Sequence, residues 1–111
     1  MISHVVLMKL RPDLPDAERT AFLDAFERAV GQIDTVRAVK IGRRIRHGAG
    51  YEPTAPDVDF VAAIDFDDLA GLQTYLQHAA HQELGARFGQ AMSFAMVYDC
   101  ELGGLEVLKT M

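Results

Sequence analysis

Four histidines, at positions 4, 47, 78 and 81, are the side chains of this sequence best suited to chemistry near neutral pH. A neutral imidazole can give or take a proton there without a cofactor. His4 lies in an apolar run, on the alternating face it shares with Ile2, Val6, Met8 and Leu10, where it is the one polar residue. His81 falls on a helical stripe with Leu84, Phe88 and Met92. Both are expected to point inward, His81 as a general base and His4 as the group that orients a carbonyl. The plainer alternative is a pair of core imidazoles hydrogen-bonded to backbone. Tyr75 stands one turn before His78 and offers a phenol to the same pocket, or else is a core aromatic. Phe26 and Phe88 are expected to close that pocket, with His78 beside them as a further ligand contact.

Other chemistry is poorly served. His78 and His81 stand three apart, as helical metal ligands can, but no cysteine or carboxylate completes a set, since Glu83 falls on the far side of the helix. No metal and no cofactor are therefore expected. Cys100 shares an alternating face with Phe94, Met96 and Tyr98 and reads as a buried, inert thiol. Gly48-Ala49-Gly50 neither follows a strand nor opens a helix, so it is no phosphate loop.

The elements that must hold these residues follow from periodicity. Residues 2–10 form an apolar run of strand length, ended by Arg11-Pro12-Asp13-Leu14-Pro15, and Pro15 suits a helix start. Phe22, Phe26, Ala29, Val30 and Ile33 then recur at helical steps, with Gly31 as the expected stop. Residues 36–45 read as a second strand and residues 46–57 as a loop. Residues 59–66 alternate as a third strand, and Asp67 and Asp68 are good caps for the helix that follows. Leu69, Leu72, Tyr75 and Leu76 give that helix one face. The segment 78–81 interrupts or bends it, and Leu84, Phe88 and Met92 continue in a new phase. Residues 93–102 form a fourth strand, ended by Gly103-Gly104. The order β-α-β-β-α-β is that of an α+β, ferredoxin-like antiparallel sheet.

Such a sheet carries helices on one face, yet these strands are apolar on both. Val5, Leu7, Val61, Ala63, Ala95 and Val97 are expected on the second face, where a half-solvated antiparallel sheet would show polar residues. With no helix left to cover it, a homodimer through the sheet face is expected.

The chain has 111 residues, half of them apolar and 24% charged, which suits one globular domain. No apolar run approaches the roughly 18 residues of a membrane span, and Met1 precedes a folded-looking segment with no leader pattern. One cysteine excludes an intramolecular disulfide. A cytoplasmic protein without membrane contact is expected. The net charge of −5 argues against nucleic acid as a partner. Basic residues cluster at Arg37, Arg43, Arg44 and Arg46, either to steer an anion or to solvate a strand end.

Three segments resemble one family. Ser3-His4-Val5-Val6-Leu7-Met8-Lys9-Leu10 is similar to the opening strand of the stress-responsive dimeric A/B barrel (Dabb) domains. Tyr75-Leu76-Gln77-His78-Ala79-Ala80-His81 resembles their Tyr-x-x-His-Pro-x-His segment, and Met96-Val97-Tyr98-Asp99 their last strand. The resemblance implies a dimeric α+β barrel over residues 1–102, with 103–111 as a C-terminal tail. It also implies a comparison with the plant olivetolic acid cyclase, which performs a cofactor-free aldol closure. On that comparison His4 and His81 match the acting histidines and Tyr75 a pocket tyrosine. Phe26 replaces a second pocket tyrosine, and Ala79 replaces the proline. The expectation is a homodimer whose small apolar pocket binds a small aromatic or keto molecule. The alternatives are a histidine acid–base enzyme of the polyketide-cyclase type and a purely structural dimer.

Overall fold

In a computed structural model, residues 1–110 are described; Met111, the end of the expected tail, lies outside them. Four strands, β1 (Ile2–Leu10), β2 (Ala38–Arg43), β3 (Phe60–Phe66) and β4 (Met92–Glu101), form one sheet in the order β2-β3-β1-β4. Every neighbouring pair is antiparallel. Three helices complete the fold: α1 (Asp16–Gln32), α2 (Leu69–Gln77) and α3 (Ala79–Ala91). This is the ferredoxin-like α+β arrangement. No helix among the described residues is long and apolar enough to cross a membrane.

The core lies between helices and sheet. Val6, Met8, Ala62, Ile64 and Phe66 meet Phe22, Ala25 and Ala29 of α1, Leu72 and Tyr75 of α2, and Leu84 of α3. Burying a side chain the size of Phe66 contributes about 1.5–3 kcal/mol. Gly31 does not end α1. It stays helical, and the chain turns extended at Ile33, whose burial in the core sets the stop. Asp68 caps α2 by accepting the Gly71 N–H at 2.9 Å.

The expected interruption is real, and His78 makes it. His78 is extended (φ −69°, ψ 145°), ends α2 and begins α3, and its Nδ1 accepts the Ala80 N–H at 3.0 Å. Ala79 thus takes the first position of α3, where a proline is tolerated because its N–H would be unpaired anyway. In the 44–59 connection, Glu52 accepts the N–H groups of His47 and Gly48 at 2.9 and 2.7 Å. Those bonds hold its carboxyl below its ordinary value. Gly48 takes φ +86°, a left-handed conformation that glycine adopts at little cost. The tail beyond β4 forms a short 3-10 segment, Leu105–Thr110, exposed throughout.

Register corrects one face assignment. Val5, Leu7, Val61 and Ala63 do share the open face, since Val5 pairs with Ala63 and Leu7 with Val61. Their partners in β4 are Tyr98 and Met96. Ala95 and Val97 pair with Met8 and Val6 and so lie on the helix side. The open face of β4 is therefore Phe94, Met96, Tyr98 and Cys100. The α3–β4 junction has no loop, and a bulge at Lys9/Leu10 sets the phase. Parity of this kind is invisible in a strand that is apolar on both faces.

Candidate functional site

β1 and β4 place His4 directly opposite Asp99, and opposed residues in an antiparallel pair point to the same side. His4 Nδ1 lies 2.6 Å from Asp99 Oδ1. A carboxylate only accepts, so Nδ1 carries the donated proton; in the neutral ring Nε2 is then the acceptor. Tyr75, from the last turns of α2, stands beside this pair with its ring centroid 6.0 Å from His4, edge to face. On its other side the His81 ring lies 4.7 Å away, and Phe66 backs it at 5.2 Å.

The electrostatics divide the roles. Tyr75 is 1% exposed, and burial pushes its phenol up to about 12. It stays a proton donor throughout the physiological range. Its hydroxyl makes no hydrogen bond with the described residues, yet it is not among their sealed, unpartnered oxygens, a condition that only Glu18 meets. His81 is half-buried, and desolvation lowers its pKa, with the nearby His4 adding to the effect and the Leu76 backbone opposing it. It is neutral near pH 7, the state of a proton acceptor. The cluster opens at the edge of the sheet. Asp99 and Val97, on the helix side of β4, are each about half exposed because no helix covers that strand.

The residues expected to share one pocket do not all come together. His78 is exposed, and its ring nitrogen is used to cap α3, so it stands outside the cluster. A cavity of about 810 Å³ does lie between α1 and the sheet, lined by Met8, Phe22, Phe26, Val39, Ile41 and Phe60 among others. Of the expected site residues only Phe26 lines it. Phe88 packs on Phe22, 6.3 Å between centroids, and Phe22 on Phe26 at 6.1 Å. Buried Val6 lies between Met8, on the cavity wall, and His4 along the same face of β1. Asp99 is the residue the sequence reading missed; its signal was its place opposite His4, legible only once the β1–β4 register is known.

The arginine cluster turns inward on its own loop. Arg44 donates to the Pro56 and Glu52 carbonyls, Arg46 to Asp57, and Arg37 to Asp67 and the Asp34 carbonyl. Arg43 lies over the Phe60 ring.

A four-stranded antiparallel sheet with its helices packed on one face is the architecture of a class of small α+β barrel domains. The chain belongs to the stress responsive A/B barrel domain family, whose model matches residues 2–102. No curated protein matches it. A Dabb family protein with a ferredoxin-like fold from Mesorhizobium loti is 21% identical, TM-score 0.70, covering 93% of this chain and 97% of that one. A hydroxynitrile lyase from Passiflora edulis is 14% identical, TM-score 0.77, covering 93% and 94%. A dimeric ferredoxin-like protein from Thermobifida fusca is 18% identical, TM-score 0.69, covering 91% and 90%.

Proposed function

We propose that this chain works as a homodimer that takes up a small aromatic or keto molecule and holds its carbonyl against Tyr75, His81 and His4. The observation that carries this reading is the Tyr75 ring wedged between two imidazoles, at 6.0 and 4.7 Å, with Asp99 fixing one of them. A neutral base and a protonated phenol stand side by side, each kept in that state by burial. His81 takes a proton from the carbon beside the carbonyl. The negative charge gathers on the carbonyl oxygen, where the Tyr75 hydroxyl donates to it, and the proton returns to the product from His81. His4, its tautomer set by Asp99, orients the same oxygen. The dimer reading is supported by the apolar open face and by dimeric relatives of the same fold.

The deep burial of Tyr75 and His4 favours a second reading, ligand holding without turnover. A panel of β-keto acids, a β-keto thioester and an aromatic cyanohydrin separates the two. Turnover abolished by His81→Ala and by Tyr75→Phe supports catalysis. Ligand-induced shifts of the His4 and His81 resonances without turnover support holding alone. Neither turnover nor shifts across the panel would overturn both.

A further inference from the structure

The charged groups at the mouth of the histidine cluster are carboxylates. Asp99 holds the His4 ring, and whichever protonation state that ring takes, the two together are never net positive. Glu101 stands two residues further along the same face of β4, opposite Ile2. It is exposed and lies about 7 Å from Asp99 at ~3.4 Å per residue. Histidines apart, α2, α3 and β4 carry only Glu83, Arg87, Asp99 and Glu101 as charged side chains. Arg87 follows His81 by six residues of α3, about 120° around the helix and ~9 Å along it. The cations of the other elements are held elsewhere or turned away. Arg28 is taken by Glu83, Arg37 by Asp67 and Lys9 by Asp57. Lys40 pairs with Ala63 and so lies on the open face.

We infer that the cluster takes carbonyl compounds with no anionic group at the reacting end, such as keto esters, keto thioesters or ketones, and discriminates against β-keto acids; this rests on the reading of the cluster proposed above. In a β-keto acid the carboxylate is borne by the carbon that gives its proton to His81. Loss of that proton places a second negative charge beside the first. The cluster offers the two charges one neutral donor, Tyr75, and no lysine or arginine. An ester or thioester carries a single negative charge through the same step, on the oxygen that the Tyr75 hydroxyl serves. Binding is biased the same way before any proton moves. A carboxylate brought beside His81 enters the field of Asp99 and Glu101, and it gives up more hydration on entering a partly buried site than a neutral ester does. Glu101 touches none of the reacting groups, so it acts on specificity through its charge alone.

The test uses the full chain and three probes of one shape: benzoylacetate, methyl benzoylacetate and benzoylacetamide. Binding is read from the NMR shifts of the His4 and His81 rings. The two neutral probes should bind about tenfold more tightly than the anion at low salt, and the gap should narrow as ionic strength rises to ~0.5 M. Glu101→Gln should strengthen benzoylacetate about threefold, the effect in water of one unit charge at about 7 Å, and leave the neutral probes unchanged. Val97→Lys, at a half-exposed position two residues before Asp99 on the same face, should strengthen the anion by at least the same factor. Benzoylacetate bound as tightly as its ester would overturn the inference and leave the reading of the cluster standing. An anion affinity unmoved by both Glu101→Gln and Val97→Lys would overturn it in the same way. Binding of none of the three probes would overturn both.

Discussion

Replacing Tyr75 by phenylalanine should separate what the phenol does for function from what it does for folding. The hydroxyl makes no hydrogen bond with the described residues, and the ring packs on Phe66, His4 and His81. Tyr75→Phe therefore keeps the packing and loses no protein hydrogen bond, so stability at pH 7 should change by less than about 1 kcal/mol. Alkali should then pull the two proteins apart. The folded phenol is pushed from 10.0 up to about 12, so the unfolded chain releases this proton first and the folded form is penalised as pH rises. The wild type should lose about 1.4 kcal/mol relative to Tyr75→Phe by pH 11, out of about 2.7 kcal/mol for the full two-unit shift. Urea unfolding followed by circular dichroism, at fixed protomer concentration because a dimer's stability depends on it, measures both differences. A loss well above 1 kcal/mol at pH 7 would show that the hydroxyl has a partner. A gap that stays constant from pH 9 to pH 11 would refute the burial argument itself.

The His81 ring should titrate below the ordinary 6.5 in an NMR pH series, and His4→Gln should move it back upward by removing a neighbour that opposes its charge. Because its folded pKa is lowered, its contribution to stability is complete above about pH 6.5 and is lost as pH falls through the folded value. Leu7→Lys, on the central strand of the open face, should convert a particle of twice the chain's 12.2 kDa to one of that mass in sedimentation; a wild type that already sediments as one chain would contradict the dimer. Asp68→Ala removes the cap of α2 and should lower the unfolding free energy by about 1 kcal/mol, read in the same urea experiment.

The fold was legible because each strand and helix carries its own period, and because the order of elements admits few sheets. The helix break at 78–81 could be read from the change of phase in the apolar stripe, and the cap at Asp68 from residue type. The faces of β4 could not, since both are apolar and the bulge at Lys9 shifts the count. The inward pairing of His4 and His81 followed from neighbours on one face, and Tyr75 from its spacing. Phe26 and Phe88 lie on the same apolar layer as the histidines, yet periodicity measures only which side a residue faces, not its place along the layer. The cavity therefore fell elsewhere, and Asp99 stayed hidden because it depends on a partner strand nearly a hundred residues away.

The break at His78 has one more consequence. Tyr75 and His81 are six residues apart, and in an unbroken helix that spacing would turn them about 120° from each other and ~9 Å along the axis. Their rings nevertheless meet at 4.7 Å. The extended backbone at His78 is what rotates the second helix until donor and acceptor share one direction. Healing the break would part the two rings while leaving both side chains in the sequence. Position 78 thus sets the relative aim of the two rings from outside the cluster, by torsion rather than by contact.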